Sequence, residues 1–124
     1  MRSWPSLFLA VSALAFPLGG EAQDVKKGEE IYGRCAGCHS LAHDRVGPKH
    51  CDLIGRKAGA VPGFDYSGAM KRSGIVWNEK TLDRFLANPP KAVPGTTMTY
   101  AGVSDPRDRA DLIAYLKTAT CPAR

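Results

Sequence analysis

Cys35, Cys38 and His39 stand as C-x-x-C-H within GRCAGCHSL, residues 33–41. Two thiols three residues apart, followed directly by an imidazole, suit three chemistries: a zinc site, a thiol–disulfide redox pair, or a haem joined to the chain by two thioether bonds. A structural zinc site takes four ligands, usually as two close pairs. Beyond this motif only Cys51, Cys121, His43 and His50 remain, with no second C-x-x-C and no H-x-x-x-H. A thioredoxin-like redox pair belongs after a strand in a βαβ unit, and strand patterning is nearly absent from this chain. Haem attachment uses every residue of the motif. The two sulfurs add to the two vinyl groups, the two-residue spacer on a helical turn sets them over adjacent pyrrole edges, and His39 follows to meet the iron.

The opposite side of such an iron decides between chemistry and electron transfer, because an open position binds or reacts and a closed one carries electrons. Beyond Met1 the chain has two methionines. Met70 sits in SGAMKRSG, where core filling accounts for it. Met98 sits in PGTTMTYAG, held by the stiff Pro94-Gly95 turn between small polar residues, and core packing explains it poorly. Met98 is therefore preferred as the second axial ligand over Met70, His43 and His50. His43 lies only four residues from His39, an awkward distance for reaching the far face of a ring. A thioether opposite an imidazole raises the reduction potential relative to two imidazoles. No distal acid–base groups beside an open position are evident, so a haem enzyme such as a peroxidase is the weaker reading.

The chain opens MRSWPSLFLAVSALAFPLGGEAQ, in which one Arg precedes an apolar run and then small residues. That order is the pattern of a secretory signal peptide. Pro5 and Pro17 interrupt the run, which is short for a membrane span. Residues 1–22 are expected to be the leader, cut after Ala22, leaving 23–124 as one domain of ordinary single-core size. The leader holds one cation and one anion, Arg2 and Glu21, so the formal charge of +5 is unchanged by its loss. Export permits disulfides, which makes Cys51 and Cys121 a candidate pair. A moderately basic surface suits an acidic protein face or an anionic membrane. The scattered cations form no stripe with aromatics, which excludes nucleic acid.

The elements that must position these groups are few. DVKKGEEIYGRC predicts a first helix with Asp24 as N-cap and Ile31 and Tyr32 as anchors. Gly28 inside it costs about 1 kcal/mol relative to Ala, which points to another backbone packed there. Residues 40–63 carry repeated Gly and Pro and predict loops. DYSGAMKRSG predicts a short helix ending near Gly74. WNEKTLDRFLAN predicts a better one, capped by Asn78 and stopped by Pro89-Pro90. The last helix is the clearest, with Asp105 as N-cap, Pro106 at its first position and Leu112, Ile113, Tyr115 and Leu116 on an apolar face. Two terminal helices around a loop-rich middle make a thin core, which a large apolar cofactor would fill.

From Asp24 to about Cys121 the sequence resembles class I cytochrome c, of the mitochondrial-type and bacterial cytochrome c2 group. RCAGCHSL, VGPKH, LIGRKAG, VPGFDYSGAMKRSGIVW, LDRFLANPPKAVPGTTM and DLIAYLKTA carry the likeness. The resemblance implies an all-α class I cytochrome c fold, with crossing N- and C-terminal helices and loops wrapped around one covalently bound haem c. Gly28 and Tyr32 would then face Leu112 and Tyr115. Pro48 would accept the other ring N–H of His39 through its carbonyl. Arg56, Tyr66 and Trp77 match positions that bond or neutralise the haem propionates. The stretch after Gly47-Pro48 would pass the end of the last helix, which implies a disulfide between Cys51 and Cys121.

The sequence departs from the family at several positions. Phe85 stands where many members have a Tyr, Met70 where many have an Asn, and Thr97 replaces a familiar Lys before Met98. The first two imply a drier distal side. A shorter loop from His39 to Gly47 leans toward the bacterial c2 type. The resemblance implies a monomeric, soluble periplasmic one-electron carrier, not an enzyme and not membrane-spanning once processed. Its partners would offer acidic docking faces to Lys26, Lys27, Arg34, Lys49 and Lys91 around the haem edge. Those partners would be a quinol–cytochrome c oxidoreductase, a terminal oxidase or photosynthetic reaction centre, or a periplasmic dehydrogenase.

Overall fold

The computed structural model describes Met1 and residues 20–123; the expected leader lies largely outside the described residues. Among the described residues five helices follow in order: α1 (Val25–Tyr32), α2 (Gly68–Arg72), α3 (Glu79–Ala87), α4 (Pro89–Ala92) and α5 (Pro106–Thr118). Among the described residues the only β pairing is an isolated bridge between Lys57 and Val76. None of the described helices is long and apolar enough to cross a membrane.

The caps come from short polar side chains at the expected places. Asp24 accepts from the Lys27 amide, and Asp105 accepts from the amides of Arg107 and Asp108. Asn78 and Thr81 bond each other's backbone in a capping box. One expectation needs correction. Pro89-Pro90 ends α3 but also begins α4, because proline is tolerated in a first helical turn, where its missing N–H has no partner anyway. Asn88 serves both ends, and its side chain caps α4 by accepting from the Lys91 amide.

The helix α1 crosses α5, and Gly28 permits the approach. A Cβ built at Gly28 would lie 2.0 Å from the Asp111 carbonyl oxygen and 2.8 Å from the Tyr115 Cβ. Gly28 thus meets Asp111 and Tyr115, while Tyr32 packs on Tyr115 with ring centroids 5.4 Å apart. The buried Asp111 carboxylate accepts the Asp24 amide at 2.7 Å, tying the start of α1 to the middle of α5. Ile31, Leu112, Ile113 and Leu116 join Leu82, Phe85 and Leu86 of α3 in one core. Outside that core Arg109 donates to Asp83 at 2.8 Å, and Lys117 pairs with Glu79.

The loops hang on this frame. The Met98 segment runs back over α3, with the Val103 amide bonded to Leu86 O at 2.8 Å. Gly102 has φ +107° and lies against the Ala87 carbonyl, where a Cβ would come within 2.3 Å. The loop after Pro48 reaches the end of α5, where the Asp52 amide donates to Ala119 O at 2.9 Å. That turn sets Cys51 beside Cys121, joined as a disulfide with Cα atoms 4.8 Å apart.

Candidate haem site

Cys35, Cys38 and His39 follow α1 in a tight turn in which the amides of Cys38 and His39 both donate to Cys35 O, at 3.1 and 2.9 Å. The turn sends the thiols and the imidazole into one cavity of about 470 Å³. Cofactor sites commonly span about 300–1,000 Å³. The same cavity is lined by Pro48, His50, Arg56, Tyr66, Met70, Trp77, Phe85 and Met98. Neither cysteine of the motif is in a disulfide, and Cys35 is half-buried and Cys38 exposed.

His39 is buried and held by its surroundings. Its Nδ1–H donates to Pro48 O at 2.8 Å, which leaves Nε2 as the nitrogen carrying a free lone pair. Gly47 closes on the ring: a Cβ there would fall 2.2 Å from Cε1 and 2.6 Å from each ring nitrogen. The Gly47 amide bonds Cys38 O at 2.8 Å, and Arg45 donates to Ala36 O at 2.6 Å, clasping the C-x-x-C turn from outside. Burial lowers the His39 pKa, partly offset by the hydrogen bond to Pro48. Burial also raises the Cys35 thiol, against the pull of Arg34.

The other expected residues gather around the same space. Arg56 is half-buried and donates to Cys51 O at 3.1 Å and Lys49 O at 2.7 Å. Burial lowers its pKa, an effect that Tyr66, Asp44 and Asp52 oppose. Tyr66 accepts the Val61 amide at 3.1 Å, and burial raises its phenol. Trp77 is buried against Phe85, with ring centroids 5.1 Å apart. Met70 and Phe85 are both buried, and neither brings a hydroxyl or amide into the cavity wall.

The competing ligands separate. His43 is exposed and does not line the cavity. His50 stacks on His39 with ring centroids 4.1 Å apart and planes 20° from parallel, so it lies on the His39 side and not across from it. Met70 remains in the lining but packs within the core cluster, while Met98 is half-buried in its loop. Among the described residues, no three His, Cys, Asp or Glu gather as a metal-ion site. The donor set fits a haem: two accessible thiols beside a fixed imidazole, a thioether on the same cavity, and mostly apolar walls.

Sequence reasoning missed three participants. Gly47 is a space requirement that follows from the ring behind it. Arg45 is an external brace. His50 was weighed only as a metal ligand, for zinc or for the far side of a haem iron, and its Nδ1 lies 3.1 Å from Tyr32 Oη. Burial lowers the His50 pKa to about 3, with His39 and Arg56 adding to the effect. Burial pushes the Tyr32 phenol up to about 12.

The cytochrome c family model matches residues 25–120. The chain is similar to a cytochrome c2 of Rhodomicrobium vannielii, 47% identical over 113 residues, which covers 89% of this chain and 87% of that one. It is similar to a cytochrome c of Sesamum indicum, 46% identical over 101 residues, covering 78% and 91% of the two chains. Among solved structures, cytochrome cH from Methylobacterium extorquens superposes with a TM-score of 0.75 at 43% identity, covering 77% of this chain and 98% of that one.

Proposed function

This chain belongs to the cytochrome c family, and from that premise we propose that it is a monomeric carrier exported to the periplasm, with its haem iron held by His39 and Met98. It is an electron-transfer protein and not an enzyme, and it binds one haem c covalently. When bound, the haem supplies reversible one-electron ferric–ferrous chemistry.

The protein's own residues do the rest. Cys35 and Cys38 anchor the macrocycle through thioethers. The Pro48 carbonyl fixes the His39 tautomer so that Nε2 keeps the free lone pair for the iron. Met98 would hold the iron together with His39, and a thioether beside an imidazole would favour a raised potential. Arg56, Tyr66 and Trp77 would receive the propionates at the cavity wall, and the apolar side chains of Met70 and Phe85 would help exclude water from the same cavity. The Cys51–Cys121 bond ties the proximal loop to α5, which suits an oxidising compartment.

Export rests on the Arg-then-apolar-then-small order of residues 1–22 and on the likeness to bacterial cytochromes c2; α1 begins at Val25, just past the expected cut. Electrons would pass from a quinol–cytochrome c oxidoreductase or a periplasmic dehydrogenase to a terminal oxidase or photosynthetic reaction centre.

The single observation that carries the reading is one cavity lined at once by Cys35, Cys38, His39 and Met98. Absorption spectroscopy of the matured protein tests it. The oxidised form should show the weak far-red band of sulfur on ferric iron. Met98→Ala should abolish that band and open the ferrous form to carbon monoxide. A colourless matured protein, or native ferrous protein that binds carbon monoxide readily, overturns the proposal.

A further inference from the structure

Resting on His39 as the axial ligand, we propose that His50 is a positioning residue, whose ring lies on the face of the His39 imidazole and fixes its rotational setting. The terminal torsion of a histidine is broad, so a rotamer alone does not set the ring plane. The hydrogen bond from Nδ1 to Pro48 O, 2.8 Å long, fixes one direction in that plane and leaves rocking about the N–H···O axis free. A flat ring 4.1 Å away and 20° from parallel opposes that rocking. His50 thus supplies the restraint that Pro48 lacks.

His50 is itself fixed in three ways. Its amide donates to Ser40 O at 3.1 Å, and the Cys51 amide donates to Leu41 O at 2.8 Å, so two short backbone links register the segment directly beside His39. Its Nδ1 lies 3.1 Å from Tyr32 Oη, and the Tyr32 ring meets it edge-on with centroids 5.7 Å apart. Tyr32 is buried at the α1–α5 crossing against Tyr115. The next residue, Cys51, is bonded to Cys121 beyond the end of α5. The ring on His39 is therefore braced against both terminal helices, and a leucine of similar volume would offer no flat face and no polar tip.

Electron paramagnetic resonance of the ferric holoprotein reads the consequence, because the g values of a low-spin haem iron depend on the plane of its axial imidazole. His50→Leu should shift and broaden the g values relative to wild type. His50→Phe restores a flat ring and should return them toward wild type. A His50→Leu spectrum that superimposes on wild type overturns the proposal, as does a His50→Phe spectrum displaced as far as that of His50→Leu. One measurement needs no variant: proton NMR of the reduced wild-type protein should give cross-relaxation between the two imidazole rings, and its absence overturns the stack. The ligand assignment fails separately. A wild-type ferric protein with no low-spin signal removes the paired His39 and Met98 ligation on which this proposal rests, whereas unchanged low-spin spectra across the His50 variants remove the positioning role alone.

Discussion

The residue at the centre of the site is His39, and its neighbours leave it little freedom. Gly47 is the most exposed to test, since a Cβ there would overlap the ring at 2.2 Å. The obstruction is a side chain held by a hydrogen bond, so the ring must turn and weaken its link to Pro48. Gly47→Ala is expected to lower the fraction of chains that mature with haem and to weaken the far-red band in those that do. Absorbance of haem relative to protein checks the first effect, and the oxidised spectrum checks the second. A variant with wild-type haem content and band would mean that the loop, not the ring, yields. At this scale the sequence was legible wherever chemistry dictates a residue type within a short span, as it does for Cys35, Cys38 and His39. Met98 was singled out because core packing explains a thioether in a stiff polar loop poorly, and it lines the same cavity as those three. His50 was not legible as a partner of His39. Their contact depends on a loop folding back through the Ser40–His50 link, and no local pattern encodes that.

At the scale of the element, the crossing of α1 and α5 turns on one missing methyl. Alanine at residue 28 would favour the isolated helix by about 1 kcal/mol, but its Cβ would strike the backbone carbonyl of Asp111 at 2.0 Å. Overpacking a core typically costs about 1–3 kcal/mol, and backbone on backbone has no flexible tip to move aside. Gly28→Ala should therefore destabilise despite its helix propensity, seen as a lower thermal midpoint; an unchanged or higher midpoint would refute the close-packing account. The start of α5 gives a pH signature. Two backbone amides, from Asp108 and Arg107, hold the Asp105 carboxyl below the usual carboxylate range. A carboxylate whose folded pKa is depressed stabilises the fold fully above its unfolded value, about 3.9, and loses that contribution as pH falls through the folded value. Asp105→Asn keeps a capping oxygen but removes the titration. The variant should lose less stability than wild type on acidification below about pH 4, measured as the thermal midpoint against pH. The caps at Asp24, Asn78 and Asp105 were readable because capping is local chemistry. The role of Pro89-Pro90 was only half readable, since the same residues suit both a helix stop and a helix start.

At the scale of the whole molecule, two features are decided by how distant parts meet. The first is the Cys51–Cys121 bond, which closes 70 residues of sequence. Such a link typically adds about 2–4 kcal/mol, in large part by restricting the unfolded chain. Replacing both cysteines with serine should lower the denaturation midpoint in urea while leaving the far-red band in place. Thiol titration of denatured, unreduced protein should find neither of these two cysteines free. The second feature is charge. The chain carries +5, but the expected docking cations are not equally available. Lys27 pairs with Glu30 and Arg34 with Asp108, each at 3.5 Å. Among the described residues, Lys26, Lys49 and Lys91 make no salt bridge. Exposed pairs are worth little and are themselves screened, so the paired residues still add to the field while the free ones present more of it. Attraction to an acidic partner acts over roughly the Debye length, about 10 Å at 0.1 M salt and 3 Å at 1 M. The second-order rate of electron exchange with an acidic redox partner should therefore fall steeply as salt rises. Reversing charge at Lys26, Lys49 and Lys91 together should slow the low-salt reaction and flatten its salt dependence, with the two proteins converging at high salt, where only contact chemistry remains. A wild-type rate that does not change with salt, or a triple variant as fast as wild type at low salt, would show that these cations do not steer the encounter.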